Sequence, residues 1–241
     1  MEQKDIIETT YKDKETVDVF DDNRKRFLYQ RYKHKIESNF LIDTVNKKIK
    51  EKESSIKVLD VACGTGRMFK EIANIENVDY FGVDTSEEMM SHLKKIAKKM
   101  KVNAWTSVGD ALNLPYEDNT FDVTFTYHLT WHLPQELQLM VIKEMMRVTK
   151  PDGYILFDIL NENFIWEKSK HLFGKKKLET IYKIDPEYIE QLLIGHKYDI
   201  EKLSDFPIKN SLLYSLANIV NISRSILPMP MFHMLYFRVR K

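Results

Sequence analysis

Apolar residues first recur at helical spacing between Phe20 and about Lys52, at Ile36, Phe40, Leu41, Val45 and Ile49, with Lys, Arg and Glu on the other faces. That pattern predicts a surface helix whose charged face is solvated. Residues 1–19 before it are polar and charged and read as a loose arm. The period then changes. Lys57-Val58-Leu59-Asp60-Val61-Ala62 is a short apolar run ending in Cys63-Gly64-Thr65-Gly66, a buried strand feeding a glycine turn. Met68, Phe69, Ile72 and Ile75 then return to helical spacing. Strand-like runs follow at Val78–Val83, Val102–Val108 and Phe121–Tyr127. Between and after them come helical patterns carrying Met89, Met90, Leu93, Ile96, Ala97 and Met100, then Leu137, Val141, Ile142 and Met145 from about Pro134 to Val148. Pro151-Asp152-Gly153 reads as a turn before a strand at Tyr154–Leu160. Asp185-Pro186 opens a further helix as N-cap and first-turn proline. Tyr198–Phe206 and Met234–Val239 are the last strand candidates, with Leu212, Leu213, Leu216, Ile219 and Val220 as one helical stripe between them. Strands alternating with helices imply βαβ units around a largely parallel sheet with helices on both faces.

Composition narrows the class. The chain has 241 residues, 43% hydrophobic and 12% aromatic, enough to bury a sizeable core. No internal repeat or Gly/Ser-rich linker divides it, so one domain is expected over residues 1–241. Its parts are an N-terminal arm and helical cap over 1–52, a core over 56–160, and an insert with C-terminal strands over 161–241. The 37 basic residues nearly balance 36 acidic ones, which argues against nucleic acid as the main partner. The single cysteine, Cys63, excludes an internal disulfide framework and a multi-cysteine zinc site. Met1-Glu2-Gln3-Lys4-Asp5 is no signal peptide, and the charge-free run Asn210–Ser223 is too short and too polar to span a bilayer. A soluble, cytoplasmic protein is expected.

The turn at residues 62–66 is the strongest chemical signal. Small residues there let a ligand approach the backbone, and the helix that follows offers unpaired N–H groups and a positive dipole end. The same turn also serves merely to reverse the chain. Gly82-Val83-Asp84 ends the next strand, 24 residues after Asp60. An acid there suits the two hydroxyls of a ribose, as in dinucleotide binders. Here, however, an acid precedes the turn and Arg67-Met68-Phe69 replaces the later glycine of the dinucleotide pattern. Gly109-Asp110-Ala111-Leu112 follows the third strand, where a carboxylate and a backbone N–H suit an adenine edge.

Taken in order, Asp60-Val61-Ala62-Cys63-Gly64-Thr65-Gly66, Gly82-Val83-Asp84-Thr85-Ser86, Gly109-Asp110-Ala111-Leu112-Asn113-Leu114-Pro115, Phe121-Asp122-Val123 and Arg147–Tyr154 resemble the class I S-adenosylmethionine-dependent methyltransferases. The resemblance covers roughly residues 56–160 and continues faintly through Ile181–Phe206; Ala62 stands where glycine is commoner. It implies a Rossmann-like doubly wound α/β sheet, mostly parallel with an antiparallel last strand. It implies S-adenosyl-L-methionine as cofactor, with Asp60 and the Ala62, Cys63, Gly64, Thr65 and Gly66 backbone at the methionine moiety. Asp84 and Thr85 would lie at the ribose, Asp110 and Ala111 at adenine, Met89 on the adenine face or in plain core, and Tyr127 beside the cofactor. Cys63 reads as structural.

Tyr127-His128-Leu129-Thr130-Trp131-His132 follows the fourth strand, at the carboxyl edge where α/β sheets bind ligands. His128, Tyr127 and His132 are the candidate catalytic residues. The two histidines are four apart, but no carboxylate or cysteine lies nearby to complete a metal site, so no metal is expected. A base is required only if the acceptor is protonated at working pH. Phe20, Arg24, Arg26, Phe27 and Tyr32 are candidates to close the pocket or are simply a solvated helix. The expected reaction is methyl transfer to an oxygen or nitrogen of a small molecule, with an apolar or lipid-linked part. Phe164, Trp166 and Phe173, and then Met229, Met231 and Phe232, would contact the acceptor. Peripheral membrane contact fits the apolar segments, and the oligomeric state is open. Three alternatives stay in view: a regulatory cofactor-binding module, a protein-directed methyltransferase and aminopropyl transfer. The last normally has an acidic motif after strand four, absent here. A nucleic-acid methyltransferase would carry Asn/Asp-Pro-Pro-aromatic at that place, also absent.

Overall fold

The computed structural model describes residues 28–164, 181–203, 229 and 232–241. A long helix α1 (Leu28–Lys52) leads into β1 (Ile56–Val61), a single helical turn α2 (Phe69–Ile72), β2 (Val78–Asp84), α3 (Glu87–Met100), β3 (Trp105–Val108) and β4 (Phe121–Thr126). After a short 3-10 turn at Thr130–His132 come α4 (Gln135–Val148), β5 (Thr149–Leu160), α5 (Pro186–Leu192), β6 (Lys197–Leu203) and β7 (Met234–Arg240). The strands form one sheet in the order β3-β2-β1-β4-β5-β7-β6. β1 to β5 run parallel, and β7 is antiparallel to both β5 and β6. This is the doubly wound α/β sheet with an antiparallel last strand that the sequence predicts. Among the described residues, no helix is long and apolar enough to cross a membrane.

Period-two alternation sorts the strand residues into two cores. Val58, Tyr80, Phe125, Leu156 and Tyr236 face α1, α2 and α3, whereas Leu59, Val83, Phe157, Ile159 and Phe237 face α4 and α5. By the same alternation, Asp60, Asp158 and Tyr236 share the α1 side. Strand order reverses between β1 and β4, so the turn after β1 and the loop after β4 open side by side at the carboxyl edge. Ligands of open α/β sheets bind at such a switch point.

Some boundaries differ from the sequence reading. α2 ends with Ala73 as its C-cap, still bonded to Phe69 O, and the Ile75 N–H then closes a tight turn onto Ile72 O. β3 starts at Trp105, where pairing with Phe81 begins. Residues 150–153 bulge: Phe121 pairs with Thr149 and Val123 with Tyr154, so the expected Pro-Asp-Gly turn is an irregularity inside β5. Asp152 takes φ +62° there. β4 ends at Thr126 and leaves Tyr127 in the loop. The expected stripe at 212–220 lies outside the described residues, as do Phe20, Arg24, Arg26, Phe27, Trp166, Phe173 and Met231.

At the opposite, amino edge of the sheet, Asp122 accepts from the Lys57 N–H (2.9 Å), Lys150 Nζ (3.0 Å) and Lys52 Nζ (3.2 Å). Burial alone would raise its pKa, but these donors outweigh burial and hold the carboxyl below 3.8. A depressed carboxyl stabilises the fold above its unfolded pKa, and that contribution is lost as pH falls through the folded value. Asp122→Ala is expected to cost about 2–3 kcal/mol at neutral pH, most of which disappears in acid. Urea unfolding at pH 7 and near pH 3 checks this; an equal cost at both would assign the loss to packing.

Candidate active site

The backbone builds the floor of the site. The Cys63 N–H bonds Val83 O (3.1 Å) and the Gly109 N–H bonds Asp84 O (3.0 Å), which ties the ends of β1, β2 and β3 together. Gly64 and Gly66 lie at φ +54° and +78°. A Cβ built on Gly64 meets nothing within 4 Å, so the turn faces open space that a side chain at 64 would fill. Ala62 also takes a left-handed conformation, at φ +57°, which accounts physically for the preference for glycine there. Cys63 packs inside, with Sγ 3.9 Å from Met90 Sδ, and a Cβ on Gly82 would come within 2.9 Å of that sulfur. Burial pushes its thiol well above 9.0, so Cys63 is an inert small residue.

The acids divide by role. Asp84 Oδ2 accepts from the Gly64 N–H (2.9 Å) and Oδ1 from the Ser86 N–H (3.0 Å). Beyond any ribose contact, it therefore clamps the glycine turn to β2. Asp60 accepts from the Tyr80 hydroxyl (2.8 Å), and burial pushes its carboxyl up to about 8 against the pull of Tyr80 and Arg67. Asp110 Oδ1 accepts from the Leu112 N–H (3.0 Å) within its own turn, beside half-buried Ala111. Thr85 is exposed at the mouth, and Thr65 is buried. Met89 is buried in the core with Met90 and Leu93, and its N–H bonds the Ser86 cap. These acids, open backbone and half-buried edges suit a cationic ligand carrying a ribose and a base.

Beside the turn lies a buried polar cluster that local sequence did not reveal. Contrary to the sequence expectations, a carboxylate does lie at His128 and part of the charged face of α1 is buried. Glu37, fully buried on α1, places Oε1 2.6 Å from His128 Nε2 and 3.1 Å from the Tyr236 hydroxyl. Its Oε2 lies 2.5 Å from Arg67 Nη1, and Lys33 Nζ approaches Oε1 to 3.8 Å. Asp158, near the carboxyl end of β5, accepts the His128 N–H (2.9 Å). The physical reason is long-range pairing: Arg67 follows the glycine turn and draws the α1 carboxylate inward. Arg67 Nη1 also lies 2.8 Å from His34 Nδ1, and His34 Nε2 3.0 Å from Glu71.

Burial is the main influence on three of these groups. It pushes His128 well below 6.5 despite Glu37, and Asp158 up to about 6. Glu37 goes the other way: burial would raise it, but His128, Arg67 and Lys33 together hold it well below 4.5. His128 takes φ +72°, uncommon outside glycine and frequent at functional sites. Tyr127 Oη, His128 Nδ1, Trp131 Nε1 and Asp158 Oδ2 are buried without a hydrogen-bond partner among the described residues. Tyr127 sits against Tyr236 (5.9 Å between ring centroids), whereas His132 turns away to stack on Trp131 (4.8 Å). Glu37, His128 and Asp158 offer ligand atoms within 4.8 Å of one another, but two cations already share Glu37. Of the expected acceptor contacts, Phe164 and Phe232 are fully buried core, and Met229 packs against the α4 side.

A methyltransferase-domain family model matches residues 58–153, the segment that carries every one of these acids except Glu37 and Asp158. That segment belongs to the class I S-adenosylmethionine-dependent methyltransferases. The methyltransferase segment is 38% identical over 104 residues to a demethylmenaquinone methyltransferase of Bacillus mycoides, covering 42% of this chain and 43% of the relative. It is 30% identical over 120 residues to a 24-methylenesterol C-methyltransferase 2 of Arabidopsis thaliana, covering 48% and 33%. The chain thus spans less than half the length of the curated relatives it matches. In fold it is similar to the Synechocystis magnesium protoporphyrin IX methyltransferase solved with bound SAH. The TM-score is 0.65 at 13% identity, covering 95% of this chain and 97% of that one.

The Asp60 carboxyl gives a pH test of the turn. It titrates at about 8 in the fold against 3.8 ordinarily, so between these values the native state holds the extra proton. Stability therefore falls as pH rises through that window. Asp60→Asn keeps an oxygen for Tyr80 and removes the charge. It should raise the Tm of the ligand-free protein by several degrees near pH 8.5 and little near pH 4, read by thermal melts. The same shift at both pH values would mean that Asp60 does not titrate there.

Proposed function

We propose that the chain transfers a methyl group from S-adenosylmethionine to an oxygen or nitrogen of a small molecule with an apolar part. The observation that supports this most is the bare, buried Nδ1 of a neutral His128 beside a glycine turn ringed by carboxylates. Asp60 and the backbone from Ala62 to Gly66 would hold the methionine portion, Asp84 and Thr85 the ribose, and Asp110 and Ala111 the adenine. Met89 and Tyr127 would complete the walls. When bound, the cofactor would supply a methyl carbon on a sulfonium, its C–S electron pair leaving with sulfur as the acceptor's lone pair forms the new bond. Because that carbon is already reactive, the chain's task is orientation and disposal of the acceptor's proton. His128 takes that proton, and Arg67 and Lys33 neutralise the carboxylate behind it without a metal. The cap over residues 1–52 and the segment 161–241 would cover the acceptor. Two relatives are named for a menaquinone precursor and a sterol, and acceptors with large apolar skeletons agree with that reading. Action in the cytoplasm, with peripheral contact to a membrane that holds such an acceptor, fits the same picture.

Two measurements test it. Asp84→Ala should weaken S-adenosylmethionine binding by about 2–4 kcal/mol, because ribose contacts and the Gly64 clamp go together. Unchanged affinity by calorimetry would remove Asp84 from the site. Labelled methyl transfer into cell extracts, read by mass spectrometry, should yield a small labelled product. His128→Ala should slow its formation by about 10²- to 10⁴-fold with cofactor affinity kept. Label on protein alone would favour the protein-directed reading, and binding with no label anywhere the regulatory one.

A further inference from the structure

His128 is pinned twice, and the two pins have different consequences. Asp158 Oδ1 holds its backbone N–H at 2.9 Å, which fixes the loop after β4 in its left-handed turn. Glu37 Oε1 holds its ring at Nε2, 2.6 Å away. An ionised carboxylate only accepts hydrogen bonds, so the proton of that contact belongs to the imidazole. A neutral imidazole carries one N–H. With Nε2 protonated, Nδ1 is a bare lone pair, and it is the ring nitrogen left buried without a partner. Glu37 can stay ionised because Lys33 on its own helix and Arg67, the Tyr236 hydroxyl and His128 from three other parts of the fold surround it.

We propose, resting on the methyl-transfer reading, that Glu37 is the positioning residue that fixes the Nε2–H tautomer of His128, so that Nδ1 receives the proton of a hydroxyl acceptor. In that step the acceptor O–H bond breaks, its electron pair stays on oxygen for the bond to carbon, and the proton moves to Nδ1. The resulting imidazolium lies against Glu37 until the proton passes to solvent. The neighbouring orphans argue for a hydroxyl. Among the described residues, Tyr127 Oη–H and Trp131 Nε1–H are donors without acceptors, and His128 Nδ1 and Asp158 Oδ2 are acceptors without a donor. A hydroxyl offers one proton and two lone pairs, which matches this mixed set. An ammonium offers protons only and would bring a further cation beside Arg67 and Lys33.

This geometry makes Glu37→Gln a sharp test. Arg67 needs an oxygen at the Oε2 position, which turns the amide NH2 toward His128 Nε2. That nitrogen must then accept, and the proton moves to Nδ1. Long-range ¹H–¹⁵N NMR on labelled full-length protein, with His128 assigned from the spectrum of His128→Gln, reads the tautomer directly and without cofactor. Wild type is expected to carry the proton on Nε2 and Glu37→Gln on Nδ1. With the labelled acceptor, kcat should fall on the order of 10²- to 10⁴-fold while KM stays within about threefold. A wild-type ring protonated on Nδ1, or an unchanged tautomer in a folded Glu37→Gln, would overturn the assignment. So would a switched tautomer with unchanged kcat, or a labelled product methylated on nitrogen or carbon. If Glu37→Gln does not fold, the wild-type tautomer and the methylated atom still decide. The expected tautomers in a protein that transfers no methyl group would refute the methyl-transfer reading and leave the positioning role of Glu37 standing.

Discussion

One buried carboxylate organises the molecule. Glu37 sits on α1, outside the segment that matches the methyltransferase domain, yet its partners come from the glycine turn, the loop after β4 and the last strand. A charge taken out of water is tolerated only when paired and hydrogen-bonded, and breaking such a pair typically costs about 3–5 kcal/mol. The residues around Glu37 are therefore interdependent. Arg67 fixes where α1 lies over the glycine turn, α1 fixes where Glu37 meets the β4 loop, and Glu37 fixes how His128 is turned. Glu37 thereby locks α1 onto the candidate site.

The sheet makes this convergence possible. Because β1 and β4 are neighbours with parallel strands on each side, their carboxyl ends open next to each other. The antiparallel β7 then brings Tyr236 opposite Asp158 on β5, on the same face as Asp60. Had the last strand been parallel, residues at the other end of it would have met the site. The antiparallel extension is thus a chemical feature as well as a topological one: it supplies a phenol donor to Glu37 from a position about 200 residues away in sequence, |i−j|=199.

How much of this was legible in the sequence depends on the range of the interaction. The α/β alternation, the turn at residues 62–66 and the acids ending β1, β2 and β3 are local patterns, and the fold follows them closely. His128 was also visible as a histidine just past a central strand. Its partners were not. On α1, Lys33, Glu37, Leu41, Thr44 and Lys48 lie within one inward arc and all are buried, so the centre of the buried face is polar. A reading that equates charge with solvent assigns those residues outward, and only the tertiary pairing with Arg67 and His128 reverses it. Two signals were present nonetheless. Asp158 interrupts the otherwise apolar run Tyr154–Leu160, and Arg67 stands at the start of a helix where a cation is electrostatically misplaced. Each marks a buried charge whose partner lies elsewhere in the chain.

The distribution of proton affinities around the site shows what the protein itself leaves uncompensated. Glu37 has its cations and is held well below the ordinary carboxylate range. Asp60, Asp84 and Asp158 are all pushed upward, burial being the largest cause in each. Burial acts on all four, so the difference lies in the counter-charge: the two cations of the cluster contact Glu37 directly and reach Asp60 and Asp158 only at longer range. Asp60 and Asp84 flank the turn where the proposed cofactor would bring a sulfonium and an ammonium. Such a ligand provides the charge the turn lacks, and its arrival would favour the ionised form of Asp60, shedding a proton at neutral pH. A neutral ligand would leave that desolvation uncompensated. On the proposed function, the turn would favour positive charge, while the Glu37 cluster a few residues away, already neutralised by Arg67 and Lys33, would favour an uncharged acceptor. Two adjoining sites of opposite electrostatic preference can seat two reactants without confusing them.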